Sequence, residues 1–470
     1  MPTPHALYVF ALFASFASVL PTAAQKAHTL NYAPGKSITL SLPENFDIQV
    51  AATGIKRPRF FALSPDGRIF VTSMYNLADN ARGAVYILEG WDERTHTFTH
   101  STRYLDHLRN PNNLDFWTDP ASHQSWLYLP LTDKLLRYRY NPGDNAPSGP
   151  PETLVKFPDY GLGYKYGGWH LTRTVAVTQV NGHPRIFISV GSSCNYCQER
   201  EVLRAAAMSM DPDGKNQKLE ALGLRNAVDI RPISVFGEST IFATNMGDDH
   251  LGDKLPEDTF FELRSSQPAP PNYGWPTCYF AAGKPVFDRT PLPTLTNLEA
   301  STQSKTGSAV SVYGKQSKVA AAGTNLAAGG GHTPTSDPNA NLGHPPAALK
   351  ACNEVPLAYT TFAAHSSPLG FEYFTRANPH LNGSFLVSLH GAGHPRIGSG
   401  YRVVRFTSTD RTPRDFLTGF LTFENGKPVV HGRPCGIFRI APDTFLISDD
   451  YIGLIYYIHP RDQSPAPHSN

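Results

Sequence analysis

The sequence predicts an all-β protein, a six-bladed β-propeller whose four-stranded blades surround a central channel. The main observation is a unit that occurs six times: a polar start, an apolar run, a turn, a second β-rich run, then glycine and a third strand. The 38 Gly and 41 Pro residues are typical of chains with many short strands and turns. At 470 residues, the chain must either divide into domains or close a large architecture around one axis.

The first and last copies of the unit are the clearest. Each has a Pro-Asp turn between two apolar runs, at residues 64–67 in the first copy and 441–443 in the last. Weaker copies begin at four polar positions: Asn112, His170, Arg225 and His365. Their uneven spacing is compatible with blades, which tolerate insertions in their loops. The alternative is a pair of β-sandwiches in which these turns occur by accident.

Composition at the two ends predicts processing and export. Residues 6–20 are apolar and precede four small residues, so we expect a signal peptide at 1–24, with a lipid-side anchor as the alternative. The propeller domain is then predicted at 25–460 and a tail at 461–470. Residues 301–349, rich in Ala, Gly, Ser, Thr, Asn and Pro, are predicted to be a disordered insertion.

Export implies an oxidising compartment, in which the five cysteines are disulfide candidates. We expect a local bond between Cys194 and Cys197, since no second CxxC completes a zinc site. Cys278 and Cys352 flank the insertion and can join its ends, which leaves Cys435 unpaired. Asn382 begins an N-glycosylation sequon. The net charge of +2 gives no global field, so neither nucleic acid nor a membrane surface is expected as a partner.

The polar residues that open the six units are expected to meet at one end of the channel. Taken singly, each can be a capping or surface residue; together they form a cationic ring suited to a small ligand with several carboxylates or phosphates. The set is Arg59, Asn113, His170, Arg225, Asn226, His365 and Arg433. The loop 245–253 adds carboxylates and glycine, which favours calcium through Gly247, Asp248 and Asp249; the alternatives are a solvated acidic turn and a purely structural ion.

In these segments the chain resembles the soluble dehydrogenases of glucose and sorbosone that depend on pyrroloquinoline quinone (PQQ), and among them the secreted fungal pyranose dehydrogenases. The resemblance spans residues 42–458 and depends on the order of several short motifs. These are 168–173, 191–195, 223–227, 245–255, 272–276, 365–370 and 432–434.

The resemblance implies a role for each matched position. His170 corresponds to the catalytic base, Arg225 and Asn226 to the residues that hold the quinone oxygens, and Arg433 to one that pairs with a PQQ carboxylate. Carbonyls near Gly247 and Asp248 correspond to the calcium loop. The predicted cofactor contacts also include Arg59, Asn113, His365 and His390; members with glucose activity carry a lysine where this chain has His390.

The implied reaction transfers a hydride from a sugar to PQQ, with His170 as proton acceptor and with Ca²⁺ and Arg225 stabilising charge. No CxxCH haem motif is present, so the expected electron acceptor is external: a quinone, a cytochrome or a copper oxidase. A calcium-dependent lactonase or esterase propeller is the alternative enzyme, and a propeller that binds a glycan or protein without catalysis is the third reading.

Overall fold

The computed structural model describes residues 24–159, 162, 170–235, 238–264, 269–293, 338–375 and 378–461, which form a ring of six blades. Each blade has four antiparallel strands, so the predicted six-bladed propeller is confirmed. The described residues contain no α-helix and two 3₁₀ turns, Ala340–Leu342 and Pro395–Ile397. Within the described residues, no helix has the length and apolar composition that a membrane span requires.

The strands of each blade are given from the channel outwards. Blade 1 contains Pro58–Leu63, Ile69–Ser73, Gly83–Asp92 and Thr97–Leu108; blade 2 contains Asp115–Thr118, Ser125–Pro130, Lys134–Tyr140 and Glu152–Lys156. Blade 3 contains Arg173–Val180, His183–Val190, Ala206–Met210 and Lys218–Leu222; blade 4 contains Ile230–Val235, Glu238–Asn245, Asp258–Leu263 and Thr360–Phe362. Blade 5 contains Pro368–Phe374, Ser384–Leu389, Arg402–Thr407 and Arg414–Leu417; blade 6 contains Pro434–Ala441, Thr444–Asp449, Leu454–Pro460 and Phe46–Ala52.

The outermost strand of blade 6 comes from the opposite end of the chain. Phe46–Ala52 pairs antiparallel with Leu454–Pro460, so the first strand of the propeller completes the last blade. The hydrophobic core consists mainly of clusters that each join two neighbouring blades, including one between blades 6 and 1. The ring is therefore closed both by strand pairing and by side-chain packing.

Three hairpins lie outside the blades among the described residues. Their strands are Gln25–Ala33 with Lys36–Pro43, Cys278–Ala281 with Lys284–Phe287, and Leu421–Glu424 with Lys427–Val430. The second hairpin and the insertion both interrupt blade 4 between its third and fourth strands. Within the segment predicted to be disordered, the described residues 338–349 contact the blades; the Asn339 amide, for example, donates to the Lys156 carbonyl.

Both predicted disulfides, Cys194–Cys197 and Cys278–Cys352, are present, and Cys435 is a buried free thiol. The sequon residue Asn382 is exposed in the turn before Ser384–Leu389, a position that suits the predicted glycosylation. The predicted signal peptide lies outside the described residues except for residue 24, as does the predicted tail except for residue 461.

Candidate active site

The predicted site residues lie at one end of the channel because of the strand order. In each antiparallel blade, the start of the first strand lies beside the end of the second strand. Residues before first strands therefore meet residues after second strands. The former include His170, Arg225, Asn226, His365 and Arg433, and the latter include Ser192, Asn195, Gly247, His390 and Asp450.

His170 has one ring nitrogen engaged within the protein. Its Nδ1 lies 2.8 Å from the Ser192 hydroxyl oxygen and 3.2 Å from the Ser192 carbonyl oxygen. A carbonyl oxygen accepts only, and the hydroxyl already donates to the Cys194 carbonyl at 2.6 Å, so Nδ1 carries the proton. The other nitrogen, Nε2, is then unprotonated in the neutral ring and has a lone pair to accept a proton.

The surroundings of His170 favour this neutral form. Burial lowers the pKa of His170 well below its ordinary value of 6.5, and the positive charge of Arg225 lowers it further. The Arg173 and Arg204 guanidinium groups act in the same direction, while the Ser192 carbonyl opposes them. At neutral pH the imidazole is therefore a base and not an acid.

Arg225 is a buried cation held by neutral acceptors. Its Nε donates to the Asn195 carbonyl at 2.9 Å, its Nη2 to the Asn195 Oδ1 at 2.7 Å, and its Nη1 to the Gly247 carbonyl at 2.6 Å. A carboxylate oxygen of Asp249 lies 3.6 Å away, on a side chain that is 60% exposed. The Arg225 carbonyl accepts from Ser192 N–H at 2.8 Å, so His170 and Arg225 are both anchored to Ser192.

Asn226 follows Arg225, and its side chain and that of His170 both lie close to Gly191. A methyl group added at Gly191 would come within 2.6 Å of the His170 Cβ and 2.7 Å of the Asn226 Oδ1. Gly191 therefore permits both side chains to lie close to its backbone. Among the described residues, the side chain of Asn226 has two long contacts, with the Thr172 hydroxyl and the Met246 sulfur at 3.4 Å each.

His365 completes this side of the channel. Its Nδ1 lies 3.1 Å from Asp249 Oδ1, and its Nε2 lies 2.8 Å from the Gly252 carbonyl. The hydrogen bond with Asp249 is the largest effect that raises the pKa of His365, to about 9. At neutral pH this imidazole is a cation, unlike His170.

A second cluster contains Arg433, His390, Asp450 and Arg59. His390 Nε2 lies 2.7 Å from Asp450 Oδ1 and therefore donates, while its Nδ1 accepts from Arg433 Nη1 at 3.3 Å. Burial is the main cause that lowers the pKa of His390 to about 4. Where the resembled enzymes with glucose activity carry a cationic lysine, this chain has a neutral imidazole with both nitrogens engaged.

Arg433 and Arg59 are both buried in this cluster. Arg433 donates to the Gly391 and Ala392 carbonyls at 3.1 and 2.9 Å and to the Tyr401 hydroxyl at 2.6 Å. Arg59 donates to Asp450 at 2.9 Å and to the Asn112 Oδ1. Burial alone would raise the pKa of Asp450, but His390 and Arg59 outweigh it and hold this carboxyl ionised.

Asn113 joins two blades. Its amide donates to the Val175 carbonyl at 2.7 Å and accepts from the Val175 N–H at 2.9 Å, which ties the start of blade 2 to blade 3. These bonds occupy one donor and the acceptor of the amide. A contact of Asn113 with a cofactor stays a prediction, as does one of Arg59.

The predicted calcium ligands are engaged with cations or donors. The Gly247 carbonyl accepts from Arg225, Asp248 Oδ1 lies 2.7 Å from His250 Nδ1, and Asp249 Oδ1 contacts His365. Calcium requires six to eight converging oxygens. Among the described residues, one group of three converging His, Cys, Asp or Glu ligand atoms occurs, Cys194, Cys197 and Glu199, and its two sulfurs form a disulfide. Backbone carbonyls, on which the calcium prediction mainly depends, are not part of that group, so calcium binding by this loop stays a prediction.

An anionic cofactor does fit the His170 side. Arg225 is a buried positive charge beside an exposed carboxylate, His365 adds a second cation, and the Asn226 amide makes only weak contacts. Ser192, Asn195 and Asp450 were not among the candidate residues. The motif 191–195 was a signal for the first two, whereas Asp450 follows its strand with no distinguishing pattern.

Three solved structures with this architecture cover most of the chain. The holo form of the PQQ domain of pyranose dehydrogenase from Coprinopsis cinerea matches 92% of this chain and 98% of that chain, with a TM-score of 0.59 and 17% identity. An iodide structure of a family AA12 carbohydrate-active enzyme from Trichoderma reesei matches 89% and 97%, with a TM-score of 0.57 and 16% identity. The PQQ-bound aldose sugar dehydrogenase from Streptomyces coelicolor matches 89% and 100%, with a TM-score of 0.51 and 14% identity.

The chain has the fold of the soluble PQQ-dependent sugar dehydrogenases. The resemblance inferred from the sequence motifs is thus confirmed at the level of the fold. In sequence, the chain is 22% identical over 440 residues to an uncharacterised protein of Borreliella burgdorferi, covering 90% of this chain and 91% of that protein. No defined family profile matches the chain.

Proposed function

We propose that the chain is a secreted quinoprotein oxidoreductase that oxidises a pyranose, a 2-ketoaldose or a related aldose and passes the electrons to an external acceptor. The observation that carries this proposal is the pair formed by His170 and Arg225: a neutral imidazole, whose Nε2 makes no hydrogen bond within the described part of the chain, lies beside a buried guanidinium. The shared fold supports the assignment of this pair to sugar oxidation.

The pair matches what oxidation of an alcohol requires. When a hydride leaves a sugar carbon, the hydroxyl on that carbon must lose its proton, and a base that is neutral near pH 7 is suited to take it. His170 Nε2 is such a base, because Ser192 holds the ring with Nδ1 protonated. PQQ, when bound, supplies the two-electron acceptor.

Four further residues are assigned to binding. Arg225 and the Asn226 amide would contact the oxygens of PQQ, and Arg433 one of its carboxylates, while the His365 cation adds to the positive potential on the side of His170. Arg225 keeps its charge fixed before reaction, which favours negative charge on a neighbouring oxygen. Calcium enters this proposal only as an addition to be tested, since its predicted ligands are engaged.

The proposal is tested by reconstitution of the purified protein. We expect PQQ to raise the melting temperature and to enable reduction of a dye with at least one sugar from a panel of pyranoses, 2-ketoaldoses and aldehydes. Parallel samples with and without Ca²⁺ test the metal separately. Hydrolysis of lactones by protein free of PQQ, without dye reduction in any sample, would support the lactonase reading instead.

A further inference from the structure

The loop between Ser192 and Cys197 contacts both halves of the His170–Arg225 pair. At its start, Ser192 accepts from His170 Nδ1 and donates to the Cys194 carbonyl within the loop. Three residues after Ser192, Asn195 accepts two of the hydrogen bonds of Arg225. The Cys194–Cys197 disulfide closes the loop around Asn195.

Asn195 fixes the plane of the Arg225 guanidinium as well as its position. Its carbonyl oxygen and its Oδ1 accept from Nε and Nη2 of the same guanidinium, which is a bidentate arrangement on one edge of a planar fork. The same Oδ1 also accepts from the Asp249 N–H at 3.0 Å. Asn195 thereby sets Arg225 relative to the 245–253 loop.

The disulfide loop is held on its other side as well. The Tyr196 hydroxyl donates to the Thr290 carbonyl at 2.7 Å, and its ring stacks on His250 with centroids 3.8 Å apart. The two sulfur-bearing residues pack in a buried cluster with Ala205 and Trp275. The loop is therefore anchored at three places, none of which needs a bound ligand.

We infer that the disulfide-closed loop Ser192–Cys197 is the positioning element of the active site, and that Asn195 is its positioning residue for Arg225. Asn195 acts through the guanidinium that it holds. The catalytic consequences of this inference rest on the proposed function. The positioning of Arg225 by Asn195 applies equally to the cofactor-free protein.

The first test replaces Asn195. Asn195→Ala removes the side-chain acceptor, so Arg225 becomes less well placed; we expect kcat to fall about tenfold, the usual effect of losing one hydrogen bond to a charged group. Because the Arg225 charge helps to lower the pKa of His170, the acidic limb of the kcat profile should move to higher pH. Asn195→Asp keeps an acceptor at the same place and should restore kcat in part; because its carboxylate offsets the Arg225 charge, its acidic limb should still lie at higher pH than that of the wild type.

Cofactor-free protein supplies a readout that does not depend on turnover. The pKa of His170 can be followed by NMR of ¹³C-labelled histidine, with His170→Asn used to assign the signal. The charged groups with the largest effects on the pKa of this imidazole are Arg225, Arg173 and Arg204, and Arg225 is held by Asn195. Asn195→Ala should raise the pKa of His170. If wild-type protein oxidises no sugar, the proposed function fails, and this measurement still decides the role of Asn195.

The two disulfides provide a matched comparison. Replacing Cys194 and Cys197 by serine should reproduce the shifted pH limb of Asn195→Ala, whereas replacing Cys278 and Cys352 by serine should leave the limb in place. Both double variants lose a crosslink, so a difference between their acidic limbs indicates an effect on the position of Arg225 and not a general loss of stability. An unchanged kcat and pH profile in Asn195→Ala, or an equal shift in both double variants, would overturn the inference.

Discussion

His170 is oriented through Nδ1 and carries its basic lone pair on Nε2, so a substitution can remove the base without removing the anchor. Asn at this position retains an N–H at the place of Nδ1 and can still donate to Ser192. We expect His170→Asn to lower kcat by at least about 100-fold, the contribution of one general base. Steady-state dye reduction measures this, and cofactor affinity from fluorescence titration should change little. Turnover close to that of the wild type would remove His170 from the mechanism.

Glu199 is a buried carboxyl whose protonation should affect stability. Its two oxygens accept from the Ser193 N–H and hydroxyl at 2.7 and 2.6 Å, yet burial raises the pKa of Glu199 to about 7 from an ordinary 4.5. The folded state thus holds this proton over a range where the unfolded chain has released it. The stability it contributes is complete below pH 4.5 and is lost as the pH rises through 7.

The variant Glu199→Gln removes this titration and keeps an oxygen acceptor. Relative to wild type, its free energy of unfolding should rise between pH 4.5 and 7 by about 1.4 kcal/mol per unit at most, or about 3 kcal/mol in total, and then level off. Urea unfolding at a series of pH values tests this. Glu424→Gln, at an exposed position, is the control and should give a flat difference. A flat difference for Glu199→Gln would mean that the group is ionised throughout.

At the level of secondary structure elements, Asp258 joins two loops that approach the site from different blades. It lies at the start of the third strand of blade 4, where its oxygens accept from the Gly247 and Ser367 N–H groups at 2.7 Å each. Its buried position leaves those two donors without water if the carboxyl is removed. Asp258 therefore links the 245–253 loop to the segment that carries His365.

We expect Asp258→Ala to lower the free energy of unfolding by about 3 kcal/mol, since two buried donors lose their acceptor. Asp258→Asn keeps one acceptor and should lose about half as much. Asp253→Ala, an exposed position in the same loop, is the control and should stay within about 0.5 kcal/mol of wild type. Chemical denaturation measures all three; equal losses at positions 253 and 258 would contradict the linking role.

The strand pattern could be predicted because it is local. In blade 1 and in blade 6, the Pro-Asp turn lies within about ten residues of the apolar runs beside it. The observed strands Ile69–Ser73 and Thr444–Asp449 agree with the predicted strands to within about a residue. The polar residues at the starts of the units could also be identified from the sequence. The hydrogen-bond partners of these residues could not be predicted, because a contact such as that between Arg59 and Asp450 joins residues 391 positions apart. Neither residue has a local feature that indicates the other.

The same limit applies to the hydrogen bonds that decide the chemistry of each histidine. His170, His365 and His390 are alike in sequence, each beside a strand, yet one is a neutral base, one a cation and one a neutral bridge. The difference comes from Arg225, Asp249 and burial, which only the folded chain brings together. The same applies to the predicted calcium loop, whose contacts with Arg225, His250 and His365 have no local signal in the sequence.

At the scale of the whole molecule, the ring depends on a strand whose pairing no local pattern predicts. Phe46–Ala52 joins Leu454–Pro460 across more than 400 residues, and both ends of the propeller are thereby held in one blade. Ile48 points into the buried cluster shared by blades 5 and 6. The neighbouring Gln49 is partly exposed, with its side chain 3.0 Å from His96. The strand therefore has one face in the core and one outside it.

A charge on the inner face of this strand should open the ring, and a charge on its outer face should not. Ile48→Asp places a carboxylate in an apolar cluster, so we expect it to lower the free energy of unfolding by at least about 3 kcal/mol and to broaden the unfolding transition as blade 6 loosens first. Gln49→Asp should cost less than about 1 kcal/mol, because its side chain reaches solvent and His96. Denaturation followed by tryptophan fluorescence and circular dichroism compares the two, since coincident transitions indicate a ring that still unfolds as one unit. Equal losses in both variants would mean that the two faces of the strand are not distinguished by the core, and closure would then depend on backbone pairing alone.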